Sequence, residues 1–154
     1  MAPTRVSLVR AKEANDFEAV LRIQKACKNK TYAAYVEEND LRYLFRNGTI
    51  SLVKADGEVA GLVAFLPDKE DRNLVEHTNL AILPRYAGNG IGLAAFDLDL
   101  KIMKDRGFKY AWGVVHPGNI GSLSIVRKSD FECVGRAGNF YGDGEPRLIF
   151  EKRL

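Results

Sequence analysis

The stretch Asn79–Gly92, NLAILPRYAGNGIG, sets a proline, a polar turn and glycines at 88, 90 and 92 directly ahead of an amphipathic run. Such a junction can hold an anion. The first amides of a helix lack intrahelical acceptors and together carry about half a positive charge, and glycine lets a phosphate come close to the backbone. Pro84 cannot continue a strand ladder, so the chain is free to turn there. Two phosphate-binding patterns are excluded. A P-loop ends in Gly-Lys-Ser/Thr, and Gly92 is followed by Leu93. The fingerprint G-x-G-x-x-G fails from Gly88, where Leu93 stands at its last position, and from Gly90, where Ala95 does. Ahead of the turn, Glu76 and His77 are adjacent titratable groups in a strand-like run; His116 and Tyr141 lie in turn-rich segments.

These residues need a scaffold, and 154 residues suffice for one domain with its own core, expected to span 1–154. Apolar residues make up 46% and charged residues 28%, which excludes disordered and collagenous classes. The longest apolar runs, Val59–Leu66 and Tyr110–Val115, are strand-sized, so no membrane span is expected. MAPTRVSLVR has no apolar core with a small-residue cleavage site, and a cytoplasmic location is the expectation. Cys27 and Cys133 form no CxxC spacing and read as reduced thiols, with no metal framework. The formal charge of +3 is dispersed: KACKNK at 25–30 is countered by EEND at 37–40. Nucleic-acid binders gather Lys and Arg on one face, so a small anionic ligand suits this balance better than DNA or RNA.

Periodicity gives the elements. Arg5–Arg10 reads as a strand. A helix capped by Asn15 or Asp16 carries Phe17, Val20, Leu21 and Ile23 to about Lys28. A second helix covers Tyr35–Arg46 and ends at Asn47-Gly48 in a left-handed cap. Thr49–Lys54 and Val59–Leu66 form a hairpin through Asp56-Gly57. Leu74–Leu83 is a strand, Ile91–Arg106 a helix closed by Gly107, Phe108–Val115 a strand and Ser122–Ser129 a short helix. Phe131–Arg136 and Arg147–Lys152 are the last strands. Trp112, inside an apolar strand, is expected in the core.

The run Ile82-Leu83-Pro84-Arg85-Tyr86-Ala87-Gly88-Asn89-Gly90-Ile91-Gly92 resembles the GNAT superfamily of N-acetyltransferases. That family has a strand ending apolar-x-Pro, then Gln/Arg-x-x-Gly-x-Gly/Ala opening a helix. Asn119, Ser122 and Phe131 stand where it has Asn-x-x-Ala, a helix and Gly-Phe, and the order of elements matches over nearly the whole chain. Three positions depart from the pattern: Ala87 replaces the Gln/Arg, Asp130 the glycine, and Val126 the tyrosine that often serves as general acid.

The resemblance implies an α/β fold, a mixed, mostly antiparallel sheet of six to seven strands flanked by about four helices. It implies acetyl transfer from acetyl-CoA, as co-substrate, to a primary amine by direct attack, the acceptor being a small molecule or a protein amino group. The backbone of Ala87, Gly88, Asn89, Gly90, Ile91 and Gly92 would take the phosphates, aided by Arg85; Leu80, Ala81 and Ile82 would offer strand-like hydrogen bonds to the pantetheine arm; Asn119 and Ser122 would complete the cofactor site. Glu76 stands where many members carry a catalytic glutamate, with His77 the rival base. In regular alternation Glu76, Thr78, Leu80 and Ile82 share one face and His77 and Asn79 the other. The acid is Tyr141, Tyr86 or water. The acceptor is expected between the early helices, 17–46, and the loop 140–146. A non-catalytic acyl-CoA-binding or sensing module is the second reading, and a homodimer remains open.

Overall fold

In the computed structural model, which describes residues 3–154, the elements follow the expected order. They are β1 (Val6–Arg10), α1 (Glu13–Cys27), α2 (Glu38–Asn47), β2 (Thr49–Ala55), β3 (Glu58–Pro67), β4 (Leu74–Ile82), α3 (Ile91–Asp105), β5 (Tyr110–Val115), α4 (Ile120–Lys128), β6 (Glu132–Ala137) and β7 (Arg147–Arg153), with a 3₁₀ turn at Pro84–Tyr86. The strands make one seven-stranded sheet in the order β1-β2-β3-β4-β5-β7-β6. Only β4 and β5 run parallel, joined through α3. This is the mixed, mostly antiparallel sheet with four helices that the sequence led us to expect. No helix among the described residues is long and apolar enough to cross a membrane.

Both faces of the sheet are covered. On one, Phe17, Val20 and Leu21 of α1 and Leu41 and Leu44 of α2 pack on Ile50, Leu62 and Ala81. On the other, Phe96, Leu100 and Met103 of α3 and Leu123 and Val126 of α4 pack on Phe65, Val75, Ala111 and Phe150. The β2–β3 turn has the left-handed pair Asp56 (φ 50°) and Gly57 (φ 85°), which matches the twist of the strands it joins.

Two helix ends differ from expectation. α1 begins after Lys12, not at Asn15 or Asp16; the Asp16 carboxylate instead accepts from the Lys12 amide at 2.8 Å. Gly48 is extended (φ −111°), not left-handed. Glycine is needed there because a Cβ would lie 2.5 Å from the Phe65 carbonyl oxygen and 2.9 Å from Leu44 Cδ1.

Two irregularities of β4 shape the site. Ala64 pairs with Asn79 but Phe65 pairs with His77, so Thr78 is an extra residue, a β-bulge. Its hydroxyl donates to the Ala64 carbonyl at 3.3 Å. Beyond the bulge the side-chain alternation is reversed. Glu76 therefore shares the α1/α2 face with Asn79 and Ala81, while His77 shares the α3 face with Leu80 and Ile82, correcting the regular alternation. The second irregularity is a splay. β4 and β5 pair only at Leu74–Tyr110, Val75–Ala111 and Glu76–Trp112. Past Glu76, β4 stays with β3 and β5 with β7, so a cleft opens between them. Gly113 stands where they part; a Cβ there would come within 3.0 Å of the His77 carbonyl oxygen.

Candidate active site

The turn after β4, the expected anion cradle, leaves its backbone donors open. Pro84 opens the 3₁₀ turn, Gly88 (φ 82°) and Gly90 (φ 77°) bend the chain through left-handed backbone, and α3 starts at Ile91 with no side chain capping it. None of the backbone N–H groups from Gly88 to Leu93 has an acceptor among the described residues. The Ala87 amide does have one, the Pro84 carbonyl at 3.2 Å, so the open run is 88–93 rather than the 87–92 expected. A Cβ on Gly88 or Gly90 would meet nothing within 4 Å, which leaves open space over these amides. Gly92 packs more closely: its Cβ would lie 3.2 Å from Ile125 Cδ1 of α4. Arg85 is exposed at the rim, stacked 4.8 Å from the Tyr86 ring centroid.

The cleft begins beside the cradle. It is lined by Leu80, Asn119, Ser122, Ile125 and Val126 toward α3 and α4, and by Tyr32, Tyr141 and Arg147 toward the opposite face. The edge of β4 turned away from β3 has no strand beside it at Leu80, Ala81 and Ile82, so that edge can take an added extended chain. Ala81 itself is buried, and the Ile82 carbonyl receives a weak bond from the Cys27 thiol at 3.6 Å. Asn119 caps α4, its side-chain oxygen accepting from the Ser122 amide at 3.1 Å.

On the α1/α2 face, Glu76 stands in a cup with Tyr43, Leu66 and its cross-strand neighbour Trp112. Burial raises its carboxyl above the ordinary value, partly offset by the adjacent His77. Tyr35 is pushed up to about 12 by burial and then by the charge of Glu76. Tyr141 is also raised, by burial first and then by Glu76 and Tyr35, with Arg147 pulling the other way. Trp112 is not core: its ring meets Phe140 edge-on at 6.4 Å, and Phe140 meets Tyr141 at 4.8 Å.

The other titratable candidates sit elsewhere. His77 turns to α3, with Nε2 3.2 Å from a buried Asp99 carboxylate oxygen and off the hydrogen-bond direction. Tyr86 donates at 2.7 Å to Glu58, away from the cup. His116 accepts from the Gly118 amide at 2.8 Å and faces Glu145 at 3.4 Å. Asn79 of β4 is buried in a closed network with Tyr32 and Gln24: Asn79 donates to the Tyr32 hydroxyl at 2.7 Å, which donates to Gln24 at 3.0 Å. This ties the loop after α1 to the cleft mouth. Among the described residues no cluster of His, Cys, Asp and Glu could hold a metal ion.

Sequence reasoning did not find Arg147 and Trp112 as site residues, whereas Tyr35 falls inside the acceptor region expected at 17–46. An arginine at the start of a strand carries no motif, and only the splay and the loop before β7 bring it to the cleft.

Residues 17–131 match the family model described as the acetyltransferase (GNAT) family. The chain is 28% identical over 134 residues to N-acetyltransferase family 8 member 2 of Rattus norvegicus, covering 80% of this chain and 56% of that protein. It therefore spans little more than half of that relative's length. The ribosomal-protein-alanine N-acetyltransferase of Brucella melitensis has the same fold, with a TM-score of 0.79 at 20% identity over 96% of this chain and 99% of that one. So does a GNAT acetyltransferase of Elizabethkingia anophelis with acetyl-CoA bound, with a TM-score of 0.76 at 15% identity over 97% of this chain and 98% of that one.

Proposed function

The chain belongs to the GNAT acetyltransferase family, and from that premise we propose that it moves an acetyl group from acetyl-CoA to a primary amine by direct attack. The observation that carries the proposal is the unpaired run of amides from Gly88 to Leu93, beside a cleft lined by Asn119, Ser122 and Tyr141, with Glu76 in a separate cup against Trp112. Those amides suit a diphosphate. The positive end of α3 and the space over Gly88 and Gly90 favour it, and no side chain competes for it. Arg85 at the rim and the free amide nitrogen of Asn119 are further donors for the same ligand. The open edge of β4 at Leu80–Ile82 is placed to pair with the amide-bearing arm.

Acetyl-CoA supplies an activated thioester, which the amine displaces to give the amide and free coenzyme thiol. Glu76 is the base: burial lifts its carboxyl toward neutrality, so it can take the proton lost by the attacking nitrogen, directly or through a water. Tyr141 is protonated at neutral pH, as any tyrosine is, and burial pushes its ionisation further up. That suits a hydrogen bond to the sulfur as negative charge grows there, with water delivering the proton. His77, paired with Asp99 on the other face, is not the base in this reading.

Purified protein incubated with acetyl-CoA and a broad amine panel tests the proposal by release of coenzyme thiol. Faster release with at least one amine supports it. Val126 favours the second reading, a non-catalytic acyl-CoA-binding module, because it is buried against the α3 core and offers no proton. Tight acetyl-CoA binding without accelerated release by any amine would establish that module instead.

A further inference from the structure

The buried charge on the acceptor side that acetyl transfer does not use is Arg147. Its side chain is only 3% exposed, yet it lines the cleft between β4 and β5. A buried guanidinium is costly unless its donors are satisfied. Of its five N–H groups two have partners: one Nη donates to the Pro146 carbonyl at 3.0 Å and the other to Asp143 at 3.0 Å. Three are uncommitted among the described residues, and Asp143 is itself 38% exposed and meets Arg147 through one oxygen only, the other accepting from the Glu145 amide at 2.9 Å. The Tyr141 ring lies under the guanidinium at 5.1 Å, which fixes its plane and ties it to the aromatic wall. The other basic side chains near this end, His116 and Lys30, are both directed at Glu145, so they leave Arg147 as the cation open to the cleft among the described residues.

We propose that the acceptor is an amino-carboxylate, its amine at Glu76 and its carboxylate on the free fork of Arg147, with Tyr141 between them. Planar guanidinium binds carboxylate through two parallel hydrogen bonds, which a lysine at 147 could not reproduce. The aromatic wall runs from the cup of Glu76 to Arg147: Trp112, which lines that cup, meets Phe140 at 6.4 Å, Phe140 meets Tyr141 at 4.8 Å, and Tyr141 lies 5.1 Å from the guanidinium. The inference rests on the acetyl-transfer reading for the amine's role but not for the carboxylate's. A plain alkylamine or a polyamine would leave Arg147 without its partner. A peptide N-terminus would do so too.

The test compares free L-amino acids with their amides, which keep the amine and side chain and lose the charge. Thiol release measures turnover, and calorimetric titration into the protein saturated with coenzyme A measures binding. The expected result is that carboxylates bind and turn over at least 10-fold better than their amides in the native protein. Arg147→Gln should abolish that preference, Arg147→Lys should restore only part of it, and neither should change the affinity for acetyl-CoA. Amides or peptides performing as well as carboxylates overturn the inference, as does an Arg147→Gln variant that loses acetyl-CoA binding, since the fork would then serve the coenzyme. Arg147-dependent carboxylate binding with no turnover of any amine upholds the anion site and refutes acetyl transfer. Turnover without a carboxylate preference does the reverse. The comparison in the native protein needs no variant to fold.

Discussion

In the proposed reaction one carboxyl group, that of Glu76, serves as the base. Burial raises its ionisation above 4.5, the ordinary value, and as a base it works only when ionised. The rate should therefore rise with pH through that raised value. Glu76→Gln should lower turnover about 10²–10⁴-fold and erase this acid limb, with acetyl-CoA affinity unchanged. The same shift has an opposite sign for stability. A carboxyl that holds its proton more tightly folded than unfolded contributes stability below 4.5 that is lost as pH rises through the folded value. Glutamine stays neutral, so at pH 7 the variant should melt higher than the parent, and the gap should close below pH 4.5. A variant with normal turnover, or one whose melting temperature tracks the parent's at every pH, would remove Glu76 from its role or from its buried setting.

Secondary structure was legible in the sequence because it follows local pattern. Apolar spacing gave α1 and α3, Asp56-Gly57 gave the hairpin, and the glycine-rich run gave the cradle. The rest depends on pairings distant along the chain. The Thr78 bulge is invisible in the alternation of 74–82, since both registers place apolar residues on each face; what fixes it is the pairing of Ala64 with Asn79 and of Phe65 with His77. Gly48 read as a cap because the sequence does not reveal that Phe65 passes beside it. The cup draws on separated segments, around Tyr43, Leu66, Glu76 and Trp112, with Phe140 reaching Trp112 from the loop before β7, so no local window contains it. The bulge makes a sharp prediction. Deleting Thr78 restores regular alternation, which turns Val75, fully buried, off its core and exchanges the faces of Glu76 and His77. Loss of the Val75 burial alone costs roughly 1.5–3 kcal/mol, and turnover should vanish. Thr78→Ala keeps the extra residue and gives up the hydroxyl's 3.3 Å bond to Ala64 and its longer 3.5 Å contact with Asn79 Oδ1, about 0.5–1.5 kcal/mol, with activity retained. Denaturant melts and thiol release measure both, and an active deletion variant would mean that the face of Glu76 does not matter.

The whole molecule couples these parts because one ligand would bridge them. The cradle belongs to α3, the open edge to β4 and the cleft floor to α4 and β5, so a coenzyme lying along them joins the two halves of the sheet where β4 and β5 separate. Binding to the folded state alone stabilises it by mass action, about 2.7 kcal/mol at a hundredfold excess over the dissociation constant. For a domain of this size each kcal/mol moves the midpoint by about 2–4 °C, so acetyl-CoA should raise it by about 5–11 °C. Gly90→Ala puts a methyl group into the space over the free amides and forces a side chain at φ 77°, a cost of roughly 1–2 kcal/mol. Its unliganded midpoint should fall by about 2–8 °C, and the acetyl-CoA shift should all but disappear. Glu76→Gln should keep the full shift, since its carboxyl stands in the cup with Tyr43, Leu66 and Trp112 and touches no part of the cradle. Thermal melts with and without acetyl-CoA decide the matter: an undiminished shift in Gly90→Ala would place the phosphates somewhere other than the turn from Gly88 to Leu93.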